Sequence, residues 1–228
     1  MKLLAIETSA SACSVALAMN HEIKAYHQIA PLQQAKQMLE LIQKLLAQEN
    51  VKVGQLDALS FGCGPGSFTG IRIATSLIQG LGYASQLPII PISSLAALAQ
   101  SAYNEKGWES VIVAIDAKMQ EIYWGKYQVN AAGLMVLDGQ EHVGPPDELI
   151  QHSNERWYGV GNGWEIYRSQ IKVNPLAINS TSLPTAAAVA QLAREKYIKK
   201  EWVTAMEAMP TYLRLAIAKP NQNSGRVD

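Results

Sequence analysis

The segment GCGPGSFTGIR, residues 62–72, has the glycine spacing most typical of phosphate chemistry in this sequence. Glycines before a helix let a backbone approach a phosphate, and the helix N-terminus supplies free amides and a positive dipole. The specific motifs are absent, however. A Walker loop needs a lysine where Ile71 stands, and a nucleophile elbow needs glycines two residues on either side of Ser67. The third glycine of a dinucleotide fingerprint is missing as well.

Two interpretations of this glycine loop therefore stay open. It binds an anion at the N-terminus of the helix that follows, or it is a tight structural turn capped by Ser67 or Thr69. The residues assigned to the loop are Gly64, Gly66, Ser67, Thr69 and Gly70.

Asp116 is the carboxylate best placed for a cleft, because it ends the apolar strand VIVAID. The same position also suits an ion pair with Lys118 or a turn cap, and these alternatives stay open. The four histidines are scattered without a metal-ligand spacing, and the two cysteines form no CxxC pair. We therefore expect no metal site and no disulfide framework.

The composition is that of a globular protein without a strongly basic surface. The 228 residues include 19 basic and 19 acidic side chains, and 48% of the residues are hydrophobic. Since the net charge is zero, we expect any RNA to be bound through a partner. A secretory apolar run is absent from the N-terminus, and prolines divide the uncharged stretch 73–104. These features predict a cytoplasmic protein without a membrane span.

The first hundred residues alternate strands and helices in the order βββαβαβα. Short apolar runs between small or polar residues predict strands at 3–6, 13–18, 23–29, 56–62 and 87–92. Apolar residues at helical spacing and serine or threonine caps predict helices at 34–48, 69–84 and 94–103.

The second half begins again with strands, which predicts a duplicated α/β architecture. The strands are expected at 111–116, 121–129, 134–143 and 156–160, with short helical segments between them and a final helix capped by Thr185. We divide the chain into subdomains 1–104 and 105–228, and the tail from about residue 219 to 228 is expected to be mobile.

Five stretches, in order along nearly the whole chain, resemble the TsaB (YeaZ) family of tRNA threonylcarbamoyladenosine biosynthesis proteins. They are LLAIETSASACSVAL, LDALSFGCGPGSFTGIRIATSLIQGL, DAKMQEIYWGKY, GNGW and MPTYLR. The resemblance implies an actin-like, Hsp70-like (ASKHA) duplicated fold of two βββαβαβα subdomains, the second degenerate. It also implies a non-catalytic platform that binds TsaD, the subunit that transfers the threonylcarbamoyl group to the adenosine beside the anticodon. The small ATPase TsaE joins the pair, and tRNA is contacted only through the complex.

The resemblance further implies a degenerate nucleotide site. Relatives usually show Asp-Thr-Ser in the first phosphate turn, where this chain has Glu7, Thr8 and Ser9. The second turn has bulky side chains in place of glycine, and the stretch that carries the metal-binding histidines of TsaD has none here. The remnant comprises Glu7, Thr8, Ser9, Asp116, Lys118, Gly161 and Gly163. No cofactor is expected, and weak or interface-dependent binding of an adenine nucleotide stays open.

The partner surface is expected on the helices 34–48 and 69–84, whose apolar arcs are wider than one sheet face requires. The side chains expected to face TsaD, or a second copy in a homodimer, are Met38, Leu39, Ile42, Leu45, Ala74, Leu77, Ile78 and Leu81. The alternative is that these arcs are buried within the monomer. Relatives carry a His-Thr/Ser-Gln run where this chain has Gln34-Ala35-Lys36, and commonly Arg where Lys118 stands.

A rival function is an active ATPase or small-molecule kinase of the same fold. It would use Glu7, Thr8 and Asp116 around Mg²⁺-ATP. Such an enzyme needs two clean phosphate turns, and the bulky residues after Asp116 argue against it.

Overall fold

Two five-stranded sheets with the same strand order form the centre of the molecule within the described residues. The structure is a computed structural model, and it describes residues 1–29, 34–150 and 156–214. The first sheet has the order β3-β2-β1-β4-β5 and the second the order β8-β7-β6-β9-β10. In each sheet the first three strands are antiparallel and the last two run parallel to the first. The connectivity thus repeats, as the sequence predicted.

The strands lie close to their predicted positions. The first sheet contains β1 (Lys2–Glu7), β2 (Ala12–Met19), β3 (Glu22–Ile29), β4 (Ala58–Gly62) and β5 (Ile89–Ile92). The second contains β6 (Ser110–Lys118), β7 (Glu121–Val129), β8 (Met135–Gly144), β9 (Tyr158–Val160) and β10 (Ile178–Asn179). The two-residue strand β10 had no signal in the sequence.

The helices show why the second half is degenerate. They are α1 (Gln34–Gln48), α2 (Phe68–Ser85), α3 (Ser94–Lys106), α4 (Gly163–Ile166) and α5 (Ala186–Ile198). In the second half, the four-residue α4 stands in the place of α2, and the connection from β8 to β9 contains a 3₁₀ turn, Pro146–Glu148. The prediction of a βββαβαβα first half and a degenerate second half is confirmed.

Helices cover both faces of the first sheet. Because successive residues of a strand point to opposite faces, alternate side chains lie in two different cores. On β1, Leu4 and Ile6 pack in the core beneath α1 and α2, whereas Leu3 and Ala5 pack beneath α5. The apolar stripe of α1 covers β2 and β3, and that of α2 covers β4 and β1. This arrangement accounts for strands that read as continuous apolar runs.

The last helix of each half covers the sheet of the other half. Helix α5 packs on the first sheet, where its small side chains meet alanines of β1, β2 and β4, so that helix and sheet lie close together. Helix α3 packs on the second sheet, where Leu95 and Leu98 share a buried cluster with Val111 and Tyr127. The predicted division at residue 104 falls inside α3, and it stays a prediction.

Aromatic side chains cover the remaining face of the second sheet. Trp157, Trp164 and Tyr167 are buried there together with Ile112. The indole Nε1 of Trp164 donates a hydrogen bond to the carbonyl of Ile112 at 3.1 Å. Large rings thus supply the apolar area that α1 and α2 supply in the first half.

Candidate functional site

The glycine loop after β4 encloses the turn that follows β1. A Cβ atom added at Gly62, Gly66 or Gly70 would lie 1.8, 2.6 or 1.9 Å, respectively, from the nearest atom of residues 7–9. Such distances are far below any real Cβ contact. The glycines therefore make room for this chain's own turn, and a substituent at any of them would collide with it.

Hydrogen bonds fasten the loop to the turn. The Thr8 hydroxyl donates to the carbonyl of Gly70 at 2.7 Å, and the amide of Ser67 donates to the carbonyl of Ser9 at 2.7 Å. The Ser67 side chain caps α2 by accepting from the amide of Gly70 at 3.3 Å. Two amides that a bound anion would need are therefore already occupied. The geometry favours a structural turn over an anion site.

The other two loop residues differ in accessibility. Gly64 is buried at φ +101°, a conformation that favours glycine, and its amide donates to the Ser94 hydroxyl at 3.2 Å. Thr69 is exposed on the first turn of α2. The loop is thus tied to the start of α3 on one side and open to solvent at the other.

Glu7 fills the space between the glycine loop and α3. Its side chain is buried; the Ser9 amide donates to Oε1 at 2.5 Å and the Ser94 hydroxyl donates to Oε2 at 3.0 Å. Burial raises the pKa of Glu7 above its usual value, although the hydrogen bonds from Ser9 and Ser94 offset part of that rise. Among the described residues, no cation forms a salt bridge with this carboxylate.

Asp116 lies in the equivalent turn of the second sheet, and it forms the ion pair that was one of the two interpretations. The Lys118 ammonium lies 2.6 Å from Oδ2, while the Lys118 amide and the Tyr167 hydroxyl donate to Oδ1 at 2.8 and 2.9 Å. Burial alone would raise the pKa of Asp116, but the hydrogen bonds from Lys118 and Tyr167 together lower it below its usual value. The carboxylate is therefore ionised and paired.

Three consecutive residues of this second turn have left-handed backbones. The φ angles of Lys118, Met119 and Gln120 are 63°, 56° and 61°. The side chain of Lys118 is 83% exposed and Met119 is 80% exposed. The bulky residues expected in this turn thus project into solvent.

Gly161 and Gly163 bring the loop between β9 and α4 against β6. An added Cβ would lie 2.5 Å from the carbonyl oxygen of Ala114 at Gly161, where φ is +102°, and 2.9 Å from it at Gly163. Between them, the side chain of Asn162 accepts a hydrogen bond from the Asp116 amide at 3.0 Å. The loop therefore supports the second turn through Asn162.

The remnant residues assemble into two separate groups. Glu7, Thr8 and Ser9 lie with the glycine loop, whereas Asp116, Lys118, Gly161 and Gly163 lie in the second half. Three residues that stabilise the two turns were not predicted from the sequence: Ser94 and Tyr167 donate to the carboxylates of Glu7 and Asp116, and Asn162 accepts from the Asp116 amide. Asn162 had a signal, since it stands between the two glycines; Ser94 and Tyr167 had none that would distinguish them from an ordinary cap and core ring.

Five of the eight side chains assigned to a partner surface lie in the monomer's core, which corrects that assignment. They are Met38, Ile42, Leu45, Ala74 and Ile78. Both helices use these side chains to cover the first sheet, so the apolar arc is not in surplus. Leu77 and Leu81 are partly buried against the same core, and Leu39 is 47% exposed.

Within residues 1–29, 34–150 and 156–214, no three metal-binding side chains converge on one point. Over the same ranges, every helix is too short or too polar to cross a membrane. The tail that was expected to be mobile, about 219–228, lies outside the described residues.

Two sheets of equal strand order, each with a carboxylate in or beside the turn after its first strand, define a duplicated actin-like protein. The family model described as TsaD, tRNA N6-adenosine threonylcarbamoyltransferase, matches residues 21–222. The tRNA threonylcarbamoyladenosine biosynthesis protein TsaB of Haemophilus influenzae is 38% identical over 94% of both chains. That of Escherichia coli is 34% identical over 96% of both. The chain belongs to the TsaB family.

A solved structure supports the same assignment. YeaZ from Pseudomonas aeruginosa is 41% identical and superposes with a TM-score of 0.89, covering 93% of this chain and 99% of that chain. The similarity extends over both sheets, so the relationship is not confined to the glycine loop.

Proposed function

We propose that this chain is a non-catalytic subunit in the formation of threonylcarbamoyladenosine in tRNA. It binds a TsaD-type transferase directly, and TsaE joins the pair. Membership of a family whose curated members are named for this biosynthesis supports the pathway. The single observation that carries the non-catalytic role is the enclosure of residues 7–9 by the glycine loop.

The enclosure argues against phosphate chemistry in the first half. A phosphate would need the backbone of the turn and the loop to be accessible, but Gly62 and Gly70 are in contact with Glu7 and Thr8. An ionised Glu7 carboxylate would also repel a phosphate. Any binding of adenine nucleotide therefore requires a partner that completes the site beside residues 7–9.

The partner surface that fits the structure is the outward face of α1 and α2. On α2, Ser76, Gly80 and Ala84 are exposed at intervals of four residues, and an added Cβ at Gly80 meets nothing within 4 Å. Small side chains along one stripe let another helix approach closely. Helix α1 contacts α2, and its Leu39 is also exposed.

The same face is proposed to form a homodimer when TsaD is absent, because a helix pair can pack against its own copy. The zero net charge supports contact with tRNA through the complex and not by the isolated chain. The place of action is then the cytoplasm, where tRNA is modified.

Gly80→Arg tests the partner surface. The substitution places a long charged side chain in the path of the incoming helix, and we expect the affinity for TsaD to fall about 30-fold or more. Gly80→Ala is the matched control: it adds one methyl group to the same open position and leaves the stripe small. Tight binding by the Gly80→Arg variant would contradict the proposed surface.

The non-catalytic role is tested with the isolated chain and with the full set of subunits. Calorimetry with Mg-ATP is expected to show neither binding nor hydrolysis by this chain alone. Modification of tRNA by TsaD and TsaE should require its addition. Turnover of ATP by the chain alone, lost when Asp116 or Thr8 is changed, would establish the rival kinase or ATPase function instead.

A further inference from the structure

The C-terminal segment 203–214, here called the strap, connects the two halves of the molecule. Near its start, Val203 and Ile89 exchange two backbone hydrogen bonds of 2.8 and 2.9 Å. Further on, the amide of Thr211 donates to the carbonyl of Cys63 at 2.8 Å. Both contacts are with the first half, at the edge strand β5 and at the glycine loop. The strap then leaves the first half and reaches the second turn.

Arg214, the last described residue of the strap, contacts that turn with both ends of its guanidinium. NH2 lies 3.3 Å from the carbonyl oxygen of Ala117 and 3.5 Å from that of Lys118, and it also pairs with the Glu121 carboxylate. NH1 lies 3.4 Å from the Met119 sulfur. One side chain thus contacts four of the five hairpin positions 117–121, all except Gln120.

The turn needs such support because of its backbone. Left-handed φ angles at three successive residues with side chains are unfavourable, since each Cβ crowds a neighbouring carbonyl. Conformations of this kind persist where surrounding contacts fix them. In the first half, the glycine loop encloses the equivalent turn. In the second half, Asp116 holds the amide of Lys118, and Arg214 holds the carbonyls.

Arginine suits this place better than lysine. Its planar group carries five N–H donors and can serve two carbonyls and a carboxylate together, whereas an ammonium is a single point charge. The Arg214 side chain is 34% exposed and that of Glu121 33%, so the contacts are partly shielded from solvent.

We propose that Arg214 is a positioning residue that holds the second turn in its left-handed conformation and fastens the strap across the two halves. The turn and the end of the strap therefore open together. This coupling is a property of the chain itself and does not depend on the proposed function.

Hydrogen exchange read by mass spectrometry tests the coupling. In Arg214→Ala, exchange in peptides covering residues 117–121 and 209–214 should rise about tenfold or more, because hydrogen bonds to a charged group are lost. Peptides from β1 and from residues 110–115 of β6 should not change. Arg168→Ala is the matched control, since Arg168 is an exposed arginine of the same half. Arg214→Lys should restore only part of the protection.

A rescue variant separates positioning from general stabilisation. Glycine adopts a φ near 61° without the crowding of a Cβ, and Gln120 is exposed. In Arg214→Ala/Gln120→Gly, exchange of the turn should return towards the wild-type rate while the strap stays fast. If Arg214 only stabilised the protein in general, the Gln120→Gly change would not slow exchange in peptide 117–121 while peptide 209–214 stays fast.

Several results would overturn the proposal. These are exchange within twofold of wild type in either peptide of Arg214→Ala, an equal rise in all peptides, or no recovery of the turn in the double variant. If Arg214→Ala does not fold, Glu121→Gln removes the ion pair alone and should raise exchange of the same two peptides by a smaller factor. No rise in that variant would likewise contradict the coupling.

Discussion

The turns after β1 and β6 occupy equivalent places in two sheets of equal strand order, yet different kinds of contact stabilise them. The first is buried, and glycines make room for it; its Glu7 carboxylate has no cation among the described residues. The second is exposed at its tip, and its Asp116 carboxylate is paired with Lys118. The two halves of a duplicated fold can therefore keep the same strand order while different contacts stabilise their equivalent turns.

The Glu7 and Asp116 carboxyl groups are expected to change the free energy of unfolding with pH in opposite directions. A carboxyl group whose pKa is raised by folding destabilises the folded state as it ionises, whereas one whose pKa is lowered stabilises it when ionised. Glu7 is the first kind and Asp116 the second. Substitutions in the two turns should therefore separate these effects.

The largest effect is expected for Gly70→Ala. The added methyl would lie 1.9 Å from the carbonyl oxygen of Thr8, so turn and loop must move apart, at a cost of about 3 kcal/mol in the free energy of unfolding. Gly80→Ala in the same helix meets nothing within 4 Å and should instead stabilise by about 0.5–1 kcal/mol. Urea unfolding measures both; equal effects would show that the loop does not enclose the first turn.

Glu7→Gln should have a smaller effect that depends on pH. Above the ordinary value of 4.5, the folded state retains a proton that the unfolded chain releases, so the free energy of unfolding falls as pH rises towards the folded pKa. Glutamine keeps the size and an acceptor for Ser9 but does not ionise. Unfolding measured from pH 4 to 8 should show this fall in wild type only. A parallel curve for the variant would contradict a raised pKa.

Asp116→Asn should destabilise by about 1 kcal/mol at neutral pH, because it removes the charge that pairs directly with the exposed Lys118 ammonium at 2.6 Å. The contribution of Asp116 is present above 3.8 and is lost as pH falls through its lowered folded pKa. The difference between variant and wild type should therefore shrink in acid, and also at high salt. A difference that grows in acid would reverse the assigned sign.

The smallest effect is expected for Lys118→Arg. The charge beside Asp116 is kept and the side chain is exposed, so the free energy of unfolding should change by less than about 0.5 kcal/mol. Thermal unfolding compares it with Asp116→Asn. A loss as large as that of Asp116→Asn would show that the lysine itself, not its charge, fixes the turn.

The sequence predicted the elements of the first half well, because short apolar runs bounded by turn residues and the 3.6-residue stripe of α1 are local signals. It could not show what each apolar stripe covers. Ile42 and Ile78 were assigned to a partner surface, yet they cover the first sheet. Periodicity gives the width of an apolar face and not the identity of its neighbour.

Long-range contacts explain the remaining gaps. The glycine loop was recognised, but its partner Thr8 lies 62 positions from Gly70, and nothing local connects them. Likewise, the alanines of α5 predict a helix of small residues but do not indicate which sheet it covers. The helix belongs to the second half of the chain and packs on the first sheet. The second run of strands predicted the duplication, and the resemblance to a known family implied that the duplicated fold is actin-like.

The packing of α3 and α5, each on the sheet of the other half, has a consequence for synthesis on the ribosome. Translation delivers the first sheet early, but its alanine-lined face is covered only by α5, which follows the strands of both sheets along the chain. Until then, the nascent chain exposes apolar surface that its own later residues will cover. Chaperone contact during translation should therefore begin with the first sheet and end once α5 emerges, and a messenger truncated before residue 186 should yield a product prone to aggregation.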